Sequence, residues 1–191
     1  AIEPRALPGI KVVQLVGAMG ARNVEYDGHA LVQRLAEKLQ GEAYFIHAPF
    51  LCQSPEVAAA VMGTQSVQQT LAMGRQAEVA LLGVGSTRLE YSSFYLAGYV
   101  PQEELEQLQQ AGAVGDIAGI HFDRQGNFVC DAFYQRLVTI RREDLLRIPE
   151  RIGVAGGSGK GLAILGALRG RLINHLVTDV QAAQEVLAHC A

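Results

Sequence analysis

The alternation of short apolar runs with helical patterns is the feature that most constrains the fold of this chain. It is clearest near the end, where the sequence predicts a strand over 152–155, a helix over 158–168, a strand over 172–177 and a helix over 179–189. Consecutive βα units of this kind favour a mostly parallel sheet with helices on both faces. We therefore predict an α/β fold, with residues 1–191 forming one domain.

Three further patterns refine this prediction. The continuous apolar run at 79–84 is typical of a strand that is covered on both faces. Residues 117–122 and 128–132 flank a polar turn and predict a short antiparallel hairpin. Ser54, followed by Pro55 and Glu56, has the chemistry of a helix start: a capping hydroxyl, a first-turn proline and an acid near the positive end of the dipole.

Composition narrows the class of protein. Hydrophobic residues make up 49% of the 191 residues, which is a globular composition. The net charge is -3 and there is no basic tract, so direct nucleic-acid binding by this chain is not expected. Three widely spaced cysteines favour a reduced, cytoplasmic protein over a disulfide framework. No apolar run approaches the roughly 20 residues of a membrane span, and no membrane partner is expected. The first residues lack an initiator methionine, which indicates a piece of a longer protein.

Glycine-bearing loops follow several of the predicted strands. In an open α/β sheet, ligands bind outside the carboxyl ends of the strands, so these loops are the candidate ligand site. They are residues 17–20, 83–86, 112–116 and 156–160. The candidate ligand-binding residues are Gly17, Ala18, Met19, Gly20, Asp27, Gly83, Gly85, Ser86, Asp116, Gly156, Gly157 and Lys160.

The loop that ends at Lys160 indicates the ligand class. A glycine-dense turn at a helix N-terminus can present unpaired amides to an anion, and an ammonium group at the same place favours phosphate or carboxylate. The loop is not a Walker A motif, because Val154 and Gly161 occupy the positions of its first glycine and its hydroxyl residue. Arg88 likewise breaks a dinucleotide fingerprint in the 83–88 segment. The alternative is a tight turn with a lysine that faces solvent.

The acidic candidates also have structural alternatives. Asp116 could accept hydrogen bonds from sugar hydroxyls or act as a base, or it could only form a turn before a strand. Asp27 could contact ligand or simply cap a helix, and Asp179 is interpreted as a structural cap. The histidines lack metal-ligand spacing, and no serine has a nucleophile-elbow context. No metal, cofactor or catalytic residue is predicted.

Several segments, in order, resemble the effector-binding (sugar-binding) domain of the SorC family of bacterial transcriptional regulators. The match extends over nearly the whole chain. The segments that carry it are 13–17, Ala48 with Pro49, 82–86, 112–117, Phe122 and Asp123 with Gly126, 154–157 with Lys160, 167–170 and 176–179.

The resemblance implies a Rossmann-like fold related to ribose-5-phosphate isomerase and glucosamine-6-phosphate deaminase. It further implies that the residues matching Asp116 and Lys160 contact a phosphorylated sugar, with help from the loop at 17–27. It implies homo-oligomers, and DNA binding through a helix-turn-helix that this chain lacks, as it lacks the family's first strand and loop. An isomerase or deaminase on the same fold, with Asp116 as base, is the alternative.

Overall fold

The computed structural model describes residues 2–19 and 28–190. It divides into two compact units, one formed by residues 1–77 with 135–140 and the other by residues 78–134 with 141–191. The assignment of residues 1–191 to one domain stays a prediction. Among the described residues, no helix combines the length and apolar character needed to cross a membrane.

The first unit joins two parallel strands to a short returning segment. Its elements are β1 (Lys11–Val13), α1 (Gly28–Leu39), β2 (Glu42–Tyr44), α2 (Pro55–Met62) and α3 (Gln65–Arg75). β1 pairs with β2 so that Val12 lies opposite Ala43. The segment 135–140 is tied to the chain after β1, because the Gly17 amide donates to the Val138 carbonyl at 2.8 Å.

The second unit contains one parallel and one antiparallel sheet. Its elements are β3 (Val79–Gly83), β4 (Gly85–Ser86), a 3-10 turn (Leu89–Tyr91), α4 (Ser93–Leu96), α5 (Gln102–Gln110), β5 (Gly115–Ile117), β6 (Ile120–Phe122), α6 (Asp131–Tyr134), α7 (Arg142–Arg147), β7 (Glu150–Val154), α8 (Gly161–Arg169), β8 (His175–Val177) and α9 (Val180–Ala188). The parallel sheet has the order β3-β7-β8 and the antiparallel sheet the order β4-β5-β6.

The predicted α/β class is confirmed: the structure has parallel strands with intervening helices and a small antiparallel sheet. Two predicted helix starts are also confirmed. The Ser54 hydroxyl accepts from the Val57 amide at 3.4 Å, and the Asp179 carboxylate accepts from the Ala182 amide at 2.8 Å.

The strand at 79–83 is not covered on both faces, so that prediction is wrong. Ala80 and Leu82 are buried, whereas Val79 and Leu81 remain 54% and 48% exposed. The parallel register places Leu81 opposite Ile152. An unbroken apolar run is compatible with a strand buried on one face or on both, and only the tertiary contacts determine which faces are buried.

The antiparallel pair exists, but its turn lies earlier than predicted. β5 and β6 are joined through Ala118 and Gly119, both of which have positive φ, at 54° and 77°. The 123–127 turn instead leads to a single bridge between Phe122 and Phe128, and Asp131–Tyr134 is helical. The apolar run at 117–122 was interpreted as one strand, and its side-chain pattern did not reveal the tight turn at Ala118 and Gly119 within it.

Candidate ligand-binding site

The close approach of α8 to β5 brings the beginning of that helix to Asp116. Gly115 has no room for a side chain: an added Cβ would lie 2.6 Å from the Ala163 Cβ of α8. The first turn of α8 therefore lies against the strand, with Lys160 directly before it. Glycine at 115 is required by this approach of helix to strand.

Asp116 is a buried carboxylate in the middle of β5, with 8% of its surface exposed. Its Oδ2 accepts from the Gly119 amide at 3.2 Å. Burial raises the pKa of this carboxyl; the charge on His121, the Gly119 hydrogen bond and the Lys160 ammonium each oppose that rise. A carboxylate that is kept from water in this way gains from any hydrogen-bond donor a ligand brings.

Lys160 is the half-buried counterpart of Asp116. Its Nζ donates to the Val84 carbonyl at 3.0 Å. Burial lowers the pKa of this ammonium and the neighbouring Asp116 opposes the shift. Val84 follows β3 and the Lys160 loop follows β7, and these strands are parallel neighbours. Both therefore lie outside the carboxyl ends of the strands, where ligands bind in α/β sheets.

His121 is a site neighbour that the sequence argument did not single out. It is 1% exposed, and its Nδ1 lies 3.1 Å from the Gly119 carbonyl. Its ring packs against Phe94 and Phe133, with centroids 5.8 and 5.1 Å away. Burial lowers its pKa, although Asp116 opposes the shift. Strand alternation would have placed His121 outside, but all three residues of β6 are buried, and the packing of this ring against two aromatic rings was not readable from sequence.

Three amides of the glycine-rich loop are hydrogen-bonded within the chain, contrary to the expectation from sequence that they are unpaired. The Gly157 amide donates to Asp179 Oδ2 at 2.6 Å. The Gly159 and Gly161 amides both donate to the Glu185 carboxylate, at 3.0 Å each. Asp179 and Glu185 come from the beginning and the body of α9, so the chain itself supplies the anions for this loop.

The other predicted residues of the second unit have different surroundings. The Ser86 hydroxyl lies 3.4 Å from the Gly159 carbonyl and accepts from the Arg88 amide at 3.3 Å. Gly85 leaves room for Asp116, because an added Cβ would meet Asp116 Oδ1 at 2.0 Å. Gly83 faces open space. Gly156 makes room for Asp179, whose Oδ2 would lie 2.6 Å from an added Cβ.

The remaining predicted residues belong to the first unit. Two of them have their amides paired within it: Gly17 donates to the Val138 carbonyl and Ala18 to the Ala48 carbonyl, both at 2.8 Å. Met19 is partly exposed. Gly20 and Asp27 lie outside the described residues. Ligand contact by any of these five stays a prediction.

No group of histidine, cysteine and acidic side chains in the described part of the chain has the arrangement of a metal site. The groups that act on one another near Asp116 are its buried carboxylate, the Lys160 ammonium and the His121 imidazole. That combination suits hydrogen bonding to a polyhydroxylated anion.

Comparison with known proteins identifies the family. The family model described as a putative sugar-binding domain matches residues 1–188. The chain belongs to this family. A full-length sorbitol operon regulator, SorC, from Klebsiella pneumoniae superposes with a TM-score of 0.87 and 28% identity, over 96% of this chain and 60% of that one. The predicted resemblance to the SorC-family effector domain is thereby confirmed.

Two curated relatives are similar in sequence. The deoxyribonucleoside regulator of Bacillus subtilis is 34% identical over 97% of this chain and 59% of its own length. The transcriptional regulator LsrR of an Enterobacter species is 37% identical over 75% of this chain and 45% of its own. The chain thus spans about half the length of these relatives. Both are named as regulators, which agrees with the prediction of a non-enzymatic domain.

Proposed function

We propose that this chain is the ligand-sensing module of a cytoplasmic transcriptional regulator and that it binds a phosphorylated sugar. The observation that carries the proposal is the joint burial of two opposite charges, with Lys160 in the loop after β7 and Asp116 in the middle of strand β5. The ammonium binds the phosphate, and the carboxylate accepts hydrogen bonds from sugar hydroxyls. Family membership and the regulators among the relatives support the sensing role.

Regulation follows from differential binding. An effector that binds one oligomeric or conformational state better than another shifts the population toward that state. In the proposed full-length protein, a helix-turn-helix outside this sequence binds DNA, and the effector changes the DNA affinity of a homo-oligomer. The net charge of -3 on this chain is consistent with DNA contact elsewhere.

The proposal is tested by thermal shift with matched phosphorylated and free sugars, followed by product analysis of every ligand that stabilises the chain. We expect a phosphorylated sugar to raise the melting temperature and to be recovered unchanged. Recovery of a converted sugar would replace the sensor with an isomerase or deaminase. Absence of any shift across the panel would reject the ligand class.

Lys160→Ala tests the role assigned to the ammonium. The variant should bind the phosphorylated sugar about tenfold or more weakly and lose its preference over the free sugar, because one charge-assisted contact is removed. Lys38→Ala is the matched control, since it removes an exposed lysine from α1 that binds the Ile2 carbonyl. Unchanged preference in Lys160→Ala would remove Lys160 from the phosphate contact.

A further inference from the structure

Helix α9 supplies two carboxylates to the loop that carries Lys160. Asp179 caps α9 through the Ala182 amide and also accepts from the Gly157 amide. Six residues later, Glu185 accepts from the Gly159 and Gly161 amides, the latter at the first position of α8. An anion thus already occupies the place where a helix N-terminus would attract a ligand phosphate.

The loop is built around these carboxylates. An added Cβ at Gly161 would lie 2.5 Å from the Glu185 Cβ, so α9 lies directly against the beginning of α8. On the other side, an added Cβ at Gly159 would lie 2.3 Å from the Tyr91 ring, whose hydroxyl hydrogen-bonds Ser158 at 2.9 Å. The loop between these contacts has little freedom to reorganise around another anion.

The charge state of Glu185 follows from the same contacts. The hydrogen bonds from the Gly159 and Gly161 amides lower its pKa, burial opposes them by a smaller amount, and Arg88 and His189 add weaker lowering effects. Glu185 is therefore ionised at neutral pH. A second anion brought to these amides would have to displace a carboxylate held in the same molecule, or lie beside it at a repulsive distance.

We propose that Glu185 is a specificity-determining residue of the sugar-phosphate site: its carboxylate keeps the Gly159 and Gly161 amides with and without ligand, so that the ligand phosphate is bound by Lys160 and not by these amides. This inference rests on the function proposed above. Glu185 then has two roles. It fixes the turn in which Lys160 lies, and it excludes free inorganic anions from the N-terminus of α8.

Amide NMR of the 191-residue chain tests the proposal directly. In the wild type, the Gly159 and Gly161 amide shifts should titrate together at a pKa below the ordinary range of glutamate. They should stay unchanged when inorganic phosphate is added at neutral pH. In Glu185→Ala the two amides should lose that titration and should shift on addition of phosphate, with affinity raised roughly tenfold because two donors are released.

Two variants keep the test decisive. Glu185→Gln retains a hydrogen-bond acceptor of nearly the same size without the charge, and it replaces Glu185→Ala if that variant fails to fold. Because the repelling charge is removed, Glu185→Gln should bind phosphate more tightly than the wild type. Gln184→Ala changes an exposed neighbour on α9 and should behave as the wild type in both titrations.

The outcomes separate this inference from the proposed function. If phosphate, or a sugar phosphate that stabilises the wild type, shifts both amides and abolishes their pH titration, Glu185 is displaced and the proposal is overturned. Glu185 variants that bind phosphate no better than the wild type also overturn it. If no sugar phosphate binds, the proposed function fails, while the pH and inorganic-phosphate titrations still decide what Glu185 does.

Discussion

Gly85 and Gly83 lie two residues apart, yet a methyl group added at each should have opposite consequences. At Gly85 an added Cβ would lie 2.0 Å from Asp116 Oδ1 and 3.0 Å from its Cγ. At Gly83 no heavy atom lies within 4 Å of the added Cβ. Neither glycine has a positive φ, so backbone strain does not complicate the comparison. Gly85→Ala and Gly83→Ala therefore form a matched pair.

The size of the effect at Gly85 follows from the displacement required. Ordinary contact begins near 3.4 Å, so the Asp116 carboxylate must retreat by more than about 1 Å. Overpacking of a buried site costs about 1–3 kcal/mol. Movement also strains the 3.2 Å bond from the Gly119 amide, which contributes about 1 kcal/mol. We expect a total loss of about 2–4 kcal/mol of unfolding free energy.

Scanning calorimetry and urea unfolding measure this loss. For a chain of this size each kcal/mol lowers the melting temperature by about 2–4 °C, so Gly85→Ala should lose roughly 5–15 °C. Gly83→Ala should be neutral, or more stable by about 0.4–1 kcal/mol through the reduced entropy of its unfolded state. Sugar-phosphate binding should fall in Gly85→Ala and persist in Gly83→Ala.

A double-mutant cycle identifies the cause. In an Asp116→Ala background the atoms that collide with the new methyl group are gone, so Gly85→Ala should cost less than about 0.5 kcal/mol there. Equal stability of the two single glycine variants would refute the steric argument. So would a cost at Gly85 that persists without the Asp116 carboxylate.

Three further predictions follow from burial and backbone geometry. Because burial raises the pKa of Asp116 above its unfolded value, the unfolding free energy of the wild type should fall as pH rises from 3.8 through the folded pKa. Urea titrations of Asp116→Asn should not show this fall. Because burial lowers the pKa of His121, stability should fall as pH drops below 6.5, and His121→Gln should be less acid-sensitive in the same titration. Gly126→Ala combines a φ of 85° with an added Cβ 2.0 Å from the Gly170 amide nitrogen, so calorimetry should show a loss of about 3 kcal/mol or more of unfolding free energy. Gly112→Ala has a φ of 91° but its nearest contact at 4.0 Å, so it should lose only about 1–2 kcal/mol.

Local chemistry made parts of the fold predictable. The caps at Ser54 and Asp179 were readable because a capping side chain acts within three residues of its own position. The covered face of β3 was not readable, because it depends on contacts with segments distant in the sequence, and neither was the local turn at Ala118. A non-glycine residue at positive φ, as at Ala118, carries no sequence signal that distinguishes it from a strand residue.

The placement of Lys160 was predictable from topology, and its association with Asp116 from family resemblance, whereas the role of Glu185 was not predictable. The Lys160 loop follows a parallel strand and so lies at the carboxyl edge of the sheet, but the position of Asp116 inside the antiparallel strand β5 was not foreseen, because residues 112–116 were interpreted as a loop. Glu185 lies in the body of a helix, where an acid usually faces solvent. Its assignment to the loop required the approach of α9 to Gly161, which only the packed structure shows.

The density of glycines in this loop therefore has a different physical origin from the one its sequence suggested. Gly156 and Gly161 admit atoms of Asp179 and Glu185, and Gly159 admits the Tyr91 ring. Each is explained by a contact within the chain, so none of them needs a ligand to account for it. The proposed ligand contacts are instead the partly buried ammonium of Lys160 and the buried carboxylate of Asp116, each of which opposes the shift that burial causes in its partner's pKa. Under the function proposed above, these two opposite charges recognise the ligand, while the Gly157, Gly159 and Gly161 amides are already hydrogen-bonded within the chain.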